Sequence, residues 1–198
     1  MDAVLVLAGG ASRRFGSDKA WLSWGGAPLL LRVLSRLAEL EVDAVVVAAR
    51  PGQALPPGPY RRVDDVCLDA GPLAGLAVGL EAIARMHPEA RVAVSACDYP
   101  FAEPTLFRAL ARAEPSADVA LLRWRGRLHP LHGVWRARMG SVCARALEAG
   151  ERRVRAAFPG AAVSIRDAAT LAPDLQLERA LLNLNDQNAL ERARVMEP

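Results

Sequence analysis

Lys19 is the only lysine of the chain; all the other residues in the Lys+Arg count of 25 are arginine. It closes the run Ala8-Gly9-Gly10-Ala11-Ser12-Arg13-Arg14-Phe15-Gly16-Ser17-Asp18-Lys19, which follows a short apolar stretch from Ala3 to Leu7. Gly9 and Gly10 let a backbone approach a ligand closely and take positive φ without strain. Ser12 adds a hydroxyl, Arg13 or Arg14 a guanidinium, and Lys19 a compact ammonium charge. Between a strand and a helix, such a loop presents backbone N–H groups and positive charge to phosphates, enough to neutralise much of a triphosphate. The spacing is neither G-x-G-x-x-G nor G-x-x-x-x-G-K-[ST], which argues against a dehydrogenase and against a P-loop NTPase. The second chemical candidate is Asp98, just past the apolar run Arg91 to Ala96. A carboxylate there emerges at the carboxyl edge of a sheet, where open α/β folds bind ligands, and an oxygen ligand of this kind suits Mg²⁺. No G-x-S-x-G elbow and no evident Cys-His pair offers a nucleophile.

The elements that must carry these groups follow from periodicity. Ala3 to Leu7, Ala44 to Ala49 and Arg91 to Ala96 are continuous apolar runs and read as buried strands, with a shorter strand at Arg61 to Val63. Pro28 opens a helical pattern to about Leu40, and Pro72 to Met86 reads as a second helix. Pro51 to Pro59 is a surface loop by composition. In the second half, helices are expected at Pro104 to Ala113 and Met139 to Leu147, with strands near Val119 to Arg123 and Leu131 to Trp135. Fully apolar strands alternating with helices predict an α/β fold: a mainly parallel sheet covered on both faces. No repeat or linker divides the chain, so a single domain over 1–198 is expected.

Bulk composition narrows the function classes. With 198 residues and 52% hydrophobic content the chain can fill one core. The net charge of +3 and pI near 9.1 agree with an anionic ligand. Basic residues are spread along the chain with no aromatic-interleaved stripe, so no nucleic-acid partner is expected. No apolar run approaches the roughly 20 residues of a membrane span, and the N-terminus has no basic leader pattern. Cys67, Cys97 and Cys143 are odd in number and widely spaced, which fits reduced thiols and a cytoplasmic location.

Leu7-Ala8-Gly9-Gly10, followed by Ser12, Arg13, Gly16 and Asp18-Lys19, resembles the signature of nucleotidyltransferases with a three-layer Rossmann-like core. It is most similar to that of the molybdenum cofactor guanylyltransferases. Gly71-Pro72-Leu73-Ala74-Gly75 resembles their second glycine motif, and Cys97-Asp98-Tyr99-Pro100-Phe101 their metal-binding strand end. Gly150-Glu151-Arg152-Arg153-Val154 resembles a segment near the pterin side, and Asn183-Leu184-Asn185 the C-terminal Asn-x-Asn element. These segments occur in the expected order and span nearly the whole chain.

The resemblance implies transfer of GMP from GTP to molybdopterin, or its molybdenum-loaded form, with release of pyrophosphate. It implies Mg²⁺ on Asp98, and Lys19, Arg13 and Asp98 as the catalytic groups. A nucleotide site would be drawn from Leu7, Ala8, Gly9, Gly10, Ser12, Lys19, Asp65, Gly71, Pro72, Leu73, Gly75 and Asp98. Asp64 is the alternative to Asp65. On the acceptor side stand His129, of the pair His129-Pro130, then Arg152, Arg153, Asn183 and Asn185, the two asparagines alternating on an extended segment. Other proteins of molybdenum cofactor biosynthesis are further implied partners. Family members often carry an asparagine where this chain reads Ala48-Ala49-Arg50, so base recognition departs from the pattern there. A cytidylyltransferase of the same cofactor, or of a sugar- or alcohol-phosphate, is the alternative, and a non-catalytic nucleotide sensor a third reading. Guanylyl-type relatives tend to read Leu-Ala-Gly-Gly and cytidylyl-type ones Leu-Ala-Ala-Gly, so Gly9, with room for a purine, favours GTP.

Overall fold

The computed structural model of the protein describes residues 1–9, 18–65 and 71–196. Its central sheet has seven strands in the order β5-β4-β1-β6-β8-β7-β9. They are β1 (Ala3–Leu7), β4 (Ala44–Ala49), β5 (Arg61–Asp64), β6 (Arg91–Ala96), β7 (Val119–Trp124), β8 (Arg127–Arg136) and β9 (Val163–Asp167). A two-stranded ribbon, β2 (Ser23–Trp24) with β3 (Ala27–Pro28), leads into the first helix. Within the main sheet β8 alone runs against its neighbours, and the pairs β1–β4, β1–β6, β4–β5 and β7–β9 are parallel. This is the mainly parallel α/β sheet expected from the apolar runs.

Each face of the sheet is covered by helices whose burial follows their sequence pattern. On one face lie α1 (Leu29–Leu37) and α3 (Pro104–Ala113), which send Leu30, Val33, Leu34 and Leu37, and Leu106, Phe107 and Leu110, into one core cluster. These positions recur at helical spacing, so one stripe is buried and the other face meets water. On the opposite face lie α2 (Pro72–Ala84) and α4 (Met139–Glu148). α2 is apolar nearly all round because it is sandwiched between the sheet and α4. A Cβ at Gly79 would come within 2.4 Å of Leu5 Cδ1, and one at Gly75 within 3.1 Å of Leu7 Cδ2. The two glycines therefore let α2 lie directly on β1. Short helices α5 (Ala168–Leu171) and α6 (Leu177–Ala180) follow β9, and α7 (Gln187–Met196) closes a third cluster with Trp24, Leu29, Phe101, Leu182 and Leu184.

The departures from the sequence reading have local causes. The first helix ends at Leu37 and continues only as a 3₁₀ turn to Leu40, stopped where Glu41 takes left-handed φ of 52°. The second ends at Ala84 rather than Met86. The strand expected at Leu131 to Trp135 is the second half of the longer β8. β9 was not expected because its residues are half-buried or exposed on a sheet edge, so they lack an apolar signature. No helix among the described residues is long and apolar enough to cross a membrane.

Pairing of β7 with β8 runs in register through Leu121↔Gly133 and resumes at Leu122↔His129, so Pro130, Leu131 and His132 bulge out of the ladder. Pro130 has no N–H to give to it. The residue at the start of the bulge has no room for a side chain: a Cβ at Gly133 would lie 2.6 Å from the Ala120 carbonyl oxygen. Replacing glycine by alanine inside a strand ordinarily stabilises by about 0.5–1 kcal/mol, but overpacking against backbone costs about 1–3 kcal/mol. The clash should win. Gly133→Ala is expected to lower the unfolding free energy by roughly 1–2 kcal/mol, read as a lower urea midpoint at unchanged slope.

Candidate active site

The parallel strands β4, β1 and β6 end at one edge, and β1 is extended there by hydrogen bonds to both neighbours. Cys97 N donates to the Leu7 carbonyl at 3.0 Å, and Ala8 N to the Ala48 carbonyl at 2.8 Å. Asp65 N donates to the Ala49 carbonyl at 2.8 Å, which sets the buried Asp65 beside Arg50. Asp64 is the last residue of β5 and is exposed. Leu7, Ala8, Gly9, Asp65 and Asp98 thus gather at this edge as expected. Gly10, Ser12 and Arg13, with Arg14, Gly16 and Cys67, lie outside the described residues. A Cβ at Gly9 would lie 3.4 Å from Arg50 Cγ and 3.5 Å from Arg50 N. The space expected here for a purine is therefore bordered by Arg50, which a Cβ at Gly9 would meet at ordinary van der Waals contact.

Lys19 begins a 3₁₀ turn, Lys19–Trp21, that Asp18 caps by accepting from Ala20 N at 3.0 Å. From there the ammonium lies 3.6 Å from Asp98 Oδ2, with the two side chains only 16% and 18% exposed. Burial raises the pKa of Asp98, and Lys19 with Arg127 pulls it back down. Asp98 Oδ1 is buried without a hydrogen-bond partner. An orphaned carboxylate oxygen is a fitting ligand for a hard cation. Among the described residues no group of three or more His, Cys, Asp or Glu forms a dedicated cage. A cation on Asp98 would thus draw its other ligands from phosphates and water, the habit of Mg²⁺. The buried thiols Cys97 and Cys143 are both pushed up to about 12, mainly by desolvation, so neither is a thiolate nucleophile at neutral pH.

The second glycine motif forms the start of α2 at the same edge. Gly71 takes φ of 71°, which only glycine adopts cheaply, and Pro72 opens the helix. Leu73 and Gly75 are buried in the contact of α2 with β1. Any contact they make with a nucleotide runs through first-turn backbone N–H groups, at the positive end of the helix dipole. A Cβ at Gly71 would lie 3.5 Å from the Arg152 carbonyl oxygen, so Gly150-Glu151-Arg152-Arg153-Val154 abuts this helix start. Arg152 Nη1 donates to the Glu151 carbonyl at 2.9 Å and reaches the Leu147 carbonyl at 3.4 Å, at the end of α4. Arg153 is exposed and precedes the turn Val154–Ala157.

The Asn-x-Asn element arrives from the C-terminal side. Leu184 N donates to the Asp98 carbonyl at 2.8 Å, and Leu184 itself is buried beside Phe101 and Trp24. Asn185 N donates to the Asn183 carbonyl at 3.0 Å, which makes a tight three-residue turn and corrects the extended segment expected here. Both asparagines are half-buried and flank the backbone bond that ties the segment to Asp98.

His129, which the resemblance assigns to the acceptor side, is a buried residue. Its ring is 2% exposed, and Nδ1 lies 3.1 Å from the Tyr99 hydroxyl. The bulge in β8 brings a second histidine to the same tyrosine: His132 stacks on Tyr99 at 4.5 Å between centroids and sits 3.2 Å from Ser95 Oγ through Nδ1. Sequence reasoning missed His132, for which the only signal was its spacing from His129 across Pro130. Burial, aided by the Arg127 charge, lowers His129 to about 4; burial, aided by His129, lowers His132 to about 3. Both are neutral at neutral pH, and together they back Tyr99, the residue after Asp98.

A family model described as the MobA-like NTP transferase domain matches residues 4–163. The chain is 33% identical over 192 residues, 96% of its length and 95% of the relative's, to the molybdenum cofactor guanylyltransferase of Pseudomonas putida. Its fold matches the crystal structure of molybdopterin-guanine dinucleotide biosynthesis protein A from Archaeoglobus fulgidus with a TM-score of 0.79, at 20% identity over 98% of this chain and 97% of the other. It also matches 2-C-methyl-D-erythritol 4-phosphate cytidylyltransferase from Thermus thermophilus, with a TM-score of 0.69 at 22% identity over 99% and 98%. The fold is the Rossmann-like α/β fold of nucleotidyltransferases, and it serves more than one nucleotide.

The histidine pair has a consequence for stability. Each histidine has a folded pKa below its unfolded value of about 6.5. Below pH 6.5 the unfolded chain takes up protons that the native protein refuses, so stability falls as pH falls. For His132 the loss reaches about 2 kcal/mol at pH 5. The raised pKa of Asp98 acts in the opposite direction, so the difference between variants is the clean readout. His132→Asn is expected to lose about half of the histidine-dependent drop in denaturant midpoint between pH 7.5 and 5. Equal pH dependence in the two proteins would refute the buried neutral pair.

Proposed function

The chain belongs to the MobA-like NTP transferase family, and from that membership we propose that it is a molybdenum cofactor guanylyltransferase, forming the guanine dinucleotide cofactor. The observation that carries the site is the largely buried Lys19–Asp98 pair, at the sheet edge where β1 ends beside β6. The substrate assignment rests on the 33% identity to a guanylyltransferase across nearly the whole chain and on the Leu-Ala-Gly-Gly start of the loop.

In this reading the terminal phosphate oxygen of molybdopterin, or of its molybdenum-loaded form, attacks the α-phosphorus of GTP. A bond forms between that oxygen and the phosphorus, the bond to the β-phosphate oxygen breaks, and pyrophosphate leaves. The attacking oxygen is already an anion, so no side-chain nucleophile is needed, in keeping with the buried, protonated thiols. Catalysis then comes from positioning and from neutralising charge in a partly dry site. Lys19 leaves Asp98 to bind the triphosphate, Arg13 adds a second positive group, and the first-turn amides of α2 give N–H donors. Asp98 would hold a divalent cation, Mg²⁺, which supplies positive charge to the transferring phosphates when bound. Arg152, Arg153, Asn183 and Asn185 line the approach of the acceptor, whose anionic phosphate suits arginine.

Pyrophosphate release from GTP, CTP, ATP and UTP with Mg²⁺, each with and without molybdopterin, tests the proposal. Release from GTP alone, and only with the pterin present, is expected. Preference for CTP would make the enzyme a cytidylyltransferase on the same fold, and tight GTP binding without release in the presence of acceptor would make it a sensor. Lys19→Ala and Asp98→Asn should each lower turnover at least roughly tenfold, about 1.4 kcal/mol of barrier; wild-type rates in both would overturn the site.

A further inference from the structure

One buried side chain that belongs to no motif joins the two ends of the glycine-rich loop. Gln53 lies in the turn after β4 and is 7% exposed. Its Nε2 donates to the Ala8 carbonyl at 3.1 Å and to Asp18 Oδ2 at 2.7 Å, while its Oε1 accepts from Arg50 N at 3.0 Å. A primary amide has two N–H groups and one carbonyl, so every part of this one is engaged. Ala8 is where the chain enters the loop from β1, and Asp18 is where it leaves for the turn that carries Lys19. The Gln53 backbone is itself held. Its N–H donates to the Arg50 carbonyl at 3.1 Å, and its carbonyl accepts from Arg62 Nη1 at 2.6 Å. Next to it, the Ala54 carbonyl accepts from Trp21 Nε1 at 3.0 Å, a second tie to the Lys19 turn.

We propose that Gln53 is a positioning residue of the nucleotide site: its amide clasps the entry and exit of the glycine-rich loop and, through Asp18, sets Lys19 against Asp98. The proposal rests on the reading of that loop as the triphosphate cradle. Asp18 divides its two oxygens, Oδ1 to the N–H of Ala20 and Oδ2 to the clasp. The second partner of Oδ2 is Arg50 at 3.4 Å, a long contact from a guanidinium that is 41% exposed, and water and salt weaken such a pair. The short bond from the buried amide is therefore the tie that holds. With it in place, Ala8 and Asp18, the two ends of the loop, are held together before the nucleotide arrives, and binding does not have to supply that restraint. The chemistry at the position is narrow. A glutamate would set a second carboxylate against Asp18 and a carbonyl oxygen, and an asparagine is one methylene too short to span both partners.

The test uses the full-length protein with Gln53→Leu, Gln53→Glu and Asp18→Ala, and the double variant Gln53→Leu/Asp18→Ala. Without nucleotide, backbone hydrogen exchange at 20–22 is expected to quicken about tenfold in Gln53→Leu and more in Gln53→Glu, with exchange across α2 and α4 unchanged. With nucleotide, KM for the triphosphate should rise about tenfold, equivalent to ~1.4 kcal/mol, with a smaller fall in kcat. The double variant should be less impaired than the sum of the two single ones, because both remove the same Gln53–Asp18 bond. Unchanged exchange at 20–22, or strictly additive effects, overturns the clasp. A wild-type protein that turns over CTP instead of GTP would revise the base assignment alone, because the exchange arm is read without any nucleotide.

Discussion

β1 is hydrogen-bonded on both sides and covered on both faces, and the rest of the molecule is arranged around that constraint. Its backbone can end only where β4 and β6 also end, because all three run parallel and in register. The loop that leaves β1 is therefore delivered between two other strand ends, each bringing a functional segment with it. β4 brings Arg50 and the turn with Gln53, and β6 brings Cys97, Asp98 and Tyr99. Gly75 and Gly79 serve the same constraint from above, since they let α2 rest on Leu5 and Leu7 and start at the same edge. A bulkier helix would stand off the sheet and move its N-terminal amides away from the end of β1.

Among the described residues at that edge, Lys19 and Asp98 are a mostly buried charged pair, and their value comes from that burial. A lysine and an aspartate 3.6 Å apart on an open surface would contribute little. Here burial raises the carboxyl's proton affinity, the ammonium offsets it, and one carboxylate oxygen is left without a partner. In the proposed reading, a metal-bound triphosphate would take this pair apart by offering each partner a replacement. The neutral histidines behind Tyr99 fit the same arrangement. A positive imidazolium there would weaken Asp98 as a cation ligand, and burial prevents it.

The segments proposed to receive the acceptor are positioned by main-chain contacts rather than by side-chain charge. Leu184 N donates to the Asp98 carbonyl, and the Arg152 carbonyl lies beside Gly71 at the start of α2. The backbone bond to Asp98 holds position without depending on ionisation or salt. The apolar anchors Leu184, Phe101 and Trp24 fix the C-terminal segment, so the half-buried Asn183 and Asn185 are carried into place by their neighbours.

Much of this was legible in the sequence because burial leaves a periodic imprint. The continuous apolar runs of β1, β4 and β6 matched their strands to the residue because each lies within the covered sheet, and α3 matched its helix because its buried stripe recurs at helical spacing. Lys19 stood out by composition and Asp98 by its place at a strand end. β9 and the full length of β8 were not legible, because edge exposure and a bulge erase the pattern that marks a strand. The pairing of Lys19 with Asp98, the clasp by Gln53, the meeting of His129 and His132 on Tyr99, and the docking of Leu184 on Asp98 belong to tertiary structure alone. Periodicity states which face of an element is buried. Which side chains meet across the fold depends on strand register, on a three-residue bulge and on how closely a helix can approach, and these are settled only when remote segments pack together.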